Sequence, residues 1–303
     1  MLVHRSLEGL SIQKAVVTTG SFDGVHIGHK TIIDRLRTIA RDIGGTSVLV
    51  TFFPHPRKVL YPNAQGKDLQ MINTQREKLR LLEKAGLDHL VIIPFTIEFS
   101  KTSSVDFIRK ILVGKLNAAC VVVGFNHHFG HNREGNYDYL YELGKFYNFT
   151  VEEIPEQDIH NEFVSSTKIR KAILDGNIQR ANAYLDHEFF MIGPVKKPSP
   201  EGAPDGSDWL EVLREEEEKE LPPPGVYAGS VTEGPDREKV MILIQEGRAG
   251  RNALIKYIIP RNSFPSEVFL TFHKRIRLIE AGEELPTRAI LEKDEEEVEE
   301  LIY

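Results

Sequence analysis

A chain of 303 residues is long enough for two domains, and 41% hydrophobic with 27% charged residues is the composition of an ordinary soluble globular protein. A formal net charge of −7 argues against broad electrostatic binding of nucleic acid, and the single cysteine, Cys120, excludes an intramolecular disulfide framework. No signal peptide, transit segment or apolar run of membrane-spanning length is read, so the expectation is a cytoplasmic enzyme without a membrane partner.

Residues 1–186 alternate strand and helix signals. Apolar β-rich runs at 16–19, 47–53, 90–94, 119–124 and 149–154 are separated by helical patterns at 29–43, 75–86, 104–117 and 136–146. Short runs without clean alternation predict strands buried on both faces, hence a parallel sheet whose ligands bind beyond the carboxyl ends of the strands. Cys120 falls in the run 118–123 and reads as a small core residue. Helices at 166–174 and 177–185 follow, with Gly176 as the C-cap between them. After Asp186 the character changes. Pro, Gly and Ser crowd 194–206, Glu215–Glu218 reads as a solvated acidic run, and 221–225 is a stiff Pro-rich breaker. Alternating runs at 225–231, 239–245, 253–259 and 267–275 predict antiparallel strands of a small barrel or sandwich, and 285–303 an acidic amphipathic helix read as a solvated tail. The expected domains are 1–186 and 187–303.

The first turn carries most of the chemistry. Gly20-Ser21-Phe22-Asp23-Gly24-Val25-His26-Ile27-Gly28-His29 joins the first strand to the first helix, where backbone N–H groups and the helix dipole converge on an anion. Gly20 and Gly24 allow close approach or positive φ, and His26 and His29 can both donate to charge that grows in a transition state. A bare His-x-Gly-His also fits a metal site or two surface histidines; the strand–turn–helix context gives it weight.

Three further segments matter: Thr51-Phe52-Phe53-Pro54-His55-Pro56, Gly124-Phe125-Asn126-His127-His128-Phe129-Gly130 and Ser165-Ser166-Thr167-Lys168-Ile169-Arg170. In this order and spacing, all four resemble the adenylyltransferase half of the prokaryotic bifunctional riboflavin kinase/FMN adenylyltransferase (FAD synthetase) family, over about residues 12–186. The resemblance implies an α/β Rossmann-like nucleotidyltransferase domain with a parallel sheet, followed by a small antiparallel β-barrel. It implies that AMP passes from ATP to FMN with release of pyrophosphate, with Mg2+ as cofactor. Gly20, Phe22, Asp23, Gly24, His26, Gly28, His29, Ser166, Thr167 and Arg170 would then serve ATP, with His26, His29 and Arg170 catalytic. Phe53, Pro54, His55 and Asn126 would border FMN, and no residue is assigned to the metal. Ser166 or Thr167 suits an N-cap, and Arg170 one turn on can fork the same anion. Pro54 and Pro56 stiffen the exit that aims His55. His127 and His128 replace the family's usual aromatic and Arg; with His131 they lack the carboxylate or cysteine spacing of a transition-metal site. The FMN phosphate is already an anionic nucleophile, so no side-chain base is required.

The second half departs from the family. It has no Pro-Thr-Ala-Asn stretch, and Leu254 stands where a glutamate base is expected. The expectation is a barrel kept as scaffold without riboflavin kinase activity. The alternatives are a bifunctional enzyme, a related nucleotidyltransferase acting on another phosphorylated substrate, and a non-catalytic flavin- or nucleotide-binding sensor. Oligomeric state is left open.

Overall fold

Runs rich in Val and Ile form six strands whose pairings are all parallel: β1 (Leu2–His4), β2 (Ala15–Thr19), β3 (Thr46–Phe53), β4 (His89–Pro94), β5 (Ala118–Gly124) and β6 (Thr150–Ile154). This computed structural model describes all residues except 64–68, 126–127, 156–157, 160–161, 199–203, 205–208, 234–235, 248–249, 260–262, 281 and 302–303. The sheet order is β1-β4-β3-β2-β5-β6, and every residue of β2 is buried. Alternate strand residues feed two cores, one on each face. Val17, Val48, Val50 and Val121 meet Ile108 and Leu140 on one side, while Val16, Leu49, Leu90 and Val122 meet Ile33, Leu36 and Leu82 on the other. The covering helices are α1 (Ile27–Ile43), α3 (Gln75–Lys84), α4 (Ser104–Asp106, running on as a π-helix over Phe107–Val113) and α5 (Tyr137–Tyr147), while the short α2 (Pro56–Leu60) buries none of its residues. Cys120 is buried in this core. The sequence does not signal β1, because its three residues are largely exposed.

By packing, the chain divides into Met1–Leu69 with Lys78–Val164, and Gln70–Glu77 with Ser165–Tyr303. The sequence places the boundary at 186 instead. A short pair, β7 (Asp158–Ile159) and β8 (Glu162–Phe163), precedes α6 (Ser166–Leu174) and α7 (Ile178–Leu185). These helices group with the second unit because the Asn182 amide donates to Phe272 O at 3.0 Å and accepts from Phe189 N–H at 2.7 Å. Gly176, at φ +67°, lies against Arg275, whose Nη1 would be 2.3 Å from an added Cβ.

The second unit resolves the barrel-or-sandwich choice. β9 (Phe189–Lys196), β10 (Leu210–Val212), β11 (Gly225–Glu233), β12 (Asp236–Gly247), β13 (Gly250–Tyr257) and β14 (Glu267–Leu278) close into an antiparallel barrel in the order β10-β13-β12-β11-β14-β9, leaving no open edge. Two acidic segments differ from expectation. The helix α8 (Arg288–Glu300) is no solvated tail: Leu291 and Val298 pack on Val226, Leu243 and Leu254, and Asp294 takes both Nε and Nη2 of Arg277 at 2.8 and 2.6 Å. Apolar residues on one face dock it, and the acids neutralise barrel cations. Nor is Glu215–Glu218 free in solvent. Arg76 binds Glu215 at 2.7 Å and also pairs with Glu267, while Glu216 accepts from Gln75 N–H at 2.8 Å.

Next to that run, Lys219 is buried. Its three N–H bonds are all used: on Glu77 Oε2 at 2.7 Å and on the carbonyls of Ile72 and Phe190, both at 2.6 Å. Glu77 in turn accepts from Thr74 N–H and Ile192 N–H, each at 3.0 Å. Removing one partner of such a pair strands a desolvated charge, a loss of about 3–5 kcal/mol. Glu77→Gln should therefore lower the denaturant midpoint of this unit strongly, and Glu77→Leu combined with Lys219→Met should recover most of the loss. Equal midpoints for Glu77→Gln and the unaltered protein would count against this.

Candidate functional site

β2 is where the strand order reverses, with β3 on one side and β5 on the other, so its carboxyl end opens on the crevice where parallel sheets bind ligands. The last ladder bond runs from Gly20 N–H to Val50 O at 3.0 Å. The backbone then bends hard: φ is +48° at Phe22, +88° at Gly24 and +41° at Val25. Positive φ at a β-branched residue is rare, and each such non-glycine position costs about 1–3 kcal/mol. Phe22 and Val25 are buried with Ile33 and Leu36, which offsets that cost.

The bend delivers His26 as the N-cap of α1, with no side-chain hydrogen bond to the helix and no acid in the first turn. The amino end of α1 therefore keeps its positive character for an anion. Three rings stack on it: His26 on His29 at 3.7 Å between centroids, and His29 on Phe22 at 4.3 Å. Burial holds the His29 imidazole well below its ordinary pKa of 6.5, helped by His26 and by the Lys78 ammonium. His29 is thus a neutral donor. Its Nδ1 is buried without a hydrogen-bond partner among the described residues, and a ligand is one way to satisfy such an atom.

At the carboxyl end of β3, a cis Phe53–Pro54 bond leads to His55, the N-cap of α2, whose Nδ1 accepts from Arg57 N–H at 3.2 Å. Phe53 is exposed. Beyond β5, Asn126 and His127 lie outside the described residues. The following loop is firmly built: Phe129 and Gly135 pair as an antiparallel bridge, and Glu134 accepts from Ser104 N–H and Oγ–H at 2.7 and 3.0 Å. His131 Nδ1 lies 3.0 Å from Ser100 O. The turn 20–29 and the segment Phe53–His55 thus share one sheet edge.

Ser166, Thr167 and Arg170 sit on α6, in the other unit. The expected cap shifts by one residue: Ser165, in extended conformation, accepts from Lys168 N–H at 3.3 Å, so Ser166 and Thr167 occupy the first two helical positions. Arg170 there influences Glu220, a buried acid whose carboxyl is raised by burial against the pull of Arg251, Arg170 and Lys219.

Sequence reasoning missed Lys78 and Glu220, since a lone Lys or Glu in a helical or acidic stretch carries no signal. It also missed a string in the barrel. Ser230 Oγ is 3.0 Å from His273 Nε2, and His273 Nδ1 is 3.0 Å from Glu188, which His273 and then Arg237 lower to about 2. This resembles a Ser–His–acid arrangement, but Ser230 is fully buried and Arg237 Nε donates to its Oγ at 2.7 Å. The hydroxyl is sealed, and the group works as a strut tying β11, β12 and β14 to the lead into β9.

Residues 10–168 match the family described as FAD synthetase. The chain is 35% identical over 182 residues to a bifunctional riboflavin kinase/FMN adenylyltransferase of Buchnera aphidicola subsp. Schizaphis graminum, covering 60% of this chain and 57% of that relative. It is 33% identical over 191 residues to an FAD synthetase of Listeria monocytogenes, covering 63% of this chain and 76% of the relative. The match thus spans little more than half the length of the Buchnera enzyme. A crystal structure described as a macrolide-efflux protein from Streptococcus pneumoniae shares the fold, with a TM-score of 0.85 over 99% of each chain at 22% identity.

The neutral His29 has a pH signature. Below 6.5 the unfolded chain protonates this residue while the folded one does not, so its contribution to stability is full above 6.5 and declines as pH falls below it. His29→Gln should flatten the loss of stability between pH 6.5 and 5, and the His29 ring resonances should still report neutral imidazole at pH 6. A titration midpoint at or above the ordinary value overturns the assignment.

Proposed function

The chain belongs to the FAD synthetase family, and from that premise we propose that it transfers AMP from ATP to FMN, giving FAD and pyrophosphate. One observation carries the reading furthest: two stacked imidazoles, that of His29 held neutral by burial, at the amino end of α1, at the point of the sheet where strand order reverses. Adenylyl transfer needs positioned donors more than covalent chemistry by the protein. In this reading the FMN phosphate oxygen attacks the α-phosphorus of ATP, and the bond to pyrophosphate breaks. His26 and His29 donate to the phosphoryl oxygens as charge grows, while Gly20, Phe22, Asp23, Gly24 and Gly28 shape the bend. Ser166, Thr167 and Arg170 serve the same triphosphate, with Phe53, Pro54, His55 and Asn126 on the FMN side. The nucleotidyltransferase segment is then 1–186 and the barrel 187–303.

Among the described residues no three His, Cys, Asp or Glu side chains converge as a metal cage. The Mg2+ that the family implies is proposed to arrive as an ion carried by the ATP phosphates.

The barrel is read as a scaffold without riboflavin kinase activity, because Leu254 is sealed in apolar packing with Leu243 and Leu291 and can neither accept a proton nor bind a cation. A cytoplasmic location fits small-molecule substrates of this kind. A bifunctional enzyme would also make FMN from riboflavin, and a non-catalytic sensor would make no product, so one assay separates both from this reading. Incubated with ATP, Mg2+ and FMN, the protein should yield FAD and pyrophosphate, and with riboflavin in place of FMN it should yield no FMN. His29→Ala should lower turnover by about 10²–10³-fold. FMN made from riboflavin establishes the bifunctional reading; no product from either flavin overturns the adenylyltransferase reading.

A further inference from the structure

The bend that presents His26 and His29 is gripped from behind. Ser21, the residue before the first positive φ, has a carbonyl that accepts from Lys78 Nζ at 3.3 Å and from Thr51 Oγ1 at 3.4 Å. Both donors are buried, Lys78 to 3% exposure and Thr51 completely. A lysine is rarely placed so deep, since its four-carbon stem readily reaches water. Here the stem lies in the first turns of α3 and its ammonium faces the strand-to-helix bend rather than solvent.

We propose that Lys78 is a positioning residue of the nucleotidyl-transfer site: its buried ammonium holds the Ser21 carbonyl, and through it the bend that stacks His26 on His29. The proposal rests on the adenylyltransferase reading and deepens it. Two consequences follow from one charge. The hydrogen bond fixes where Phe22 begins its left-handed excursion, and so fixes both imidazoles to within the tolerance that in-line transfer demands. The positive charge also stands against a second cation nearby. The titratable groups acting on His29 are His26 and Lys78, and both oppose its protonation, leaving it a neutral N–H donor. The sequence pattern gives no hint of this, because Lys78 sits 57 residues from Ser21 in an ordinary charged helix.

The test compares Lys78→Met, which keeps an apolar stem and loses the charge, with Lys78→Arg and Thr51→Val. Lys78→Met should lower kcat by about 10²-fold while KM for FMN changes less than about threefold, as a small misplacement of catalytic groups does. It should also raise the pH at which the His29 ring titrates by NMR. Lys78→Arg should restore the His29 titration and recover part of kcat, and Thr51→Val should reduce kcat without moving that titration. A folded Lys78→Met with unchanged kcat and unchanged His29 titration overturns the proposal. Should Lys78→Met not fold, Lys78→Arg and Thr51→Val decide it: normal kcat in both overturns it. If the unaltered protein releases no pyrophosphate from ATP and FMN, the adenylyltransferase reading fails by itself. The His29 titration in Lys78→Met then still decides whether this lysine controls the imidazoles.

Discussion

Burial of Phe22 and Val25 beneath α1 holds open a backbone bend that would not persist alone. Each fully buried apolar side chain of this size contributes about 1.5–3 kcal/mol, and each forced left-handed residue costs about 1–3. The two terms nearly cancel, so the bend survives as part of the sheet's core rather than as an independent loop. Val25 and Phe22 join the same apolar cluster as Ile33 and Leu36 of α1. The helix whose amino end is proposed to meet the ATP phosphates is thereby the helix that clamps the bend. Chemistry and folding share the same atoms here, which is why two histidines three residues apart stack instead of fanning out into solvent.

The second unit follows a different logic. Among the described residues its barrel strands carry no non-glycine residue at positive φ; it is closed by antiparallel pairing and fastened by buried or half-buried ion pairs. Lys219 with Glu77 and Arg277 with Asp294 use charges that in isolation read as solvated surface. Desolvated charges are tolerated only when every donor and acceptor is matched, and Lys219 meets that condition with three acceptors. The apolar packing around Leu254 belongs to the same economy: a carboxylate in that place would face Leu243 and Leu291.

Much of the first unit was legible in the chain, because short apolar runs and amphipathic periods are local properties. β2 to β6 and α1, α3 and α5 fall within a few residues of where pattern places them. The His-x-Gly-His turn was legible for the same reason, being contiguous. The errors share one cause. By composition Glu215–Glu218 and the acidic terminal helix read as solvated, yet each finds its cations on segments remote from it, Arg76 for one and Arg277 for the other. β9 and β10 went unpredicted because a strand that completes a barrel needs only partners, and a three-residue strand such as β10 has no period of its own.

The order of strands and helices, the glycines of the first turn and the spacing of two histidines beside a helix start were determined by the sequence itself, since each is written in neighbours within a few residues. Which charges are buried and that Lys78 reaches the carbonyl of Ser21 were decided only by the tertiary structure. The physical reason is that a hydrogen bond or ion pair depends on distance in space, and no local pattern encodes which distant side chain will stand within three ångströms of another.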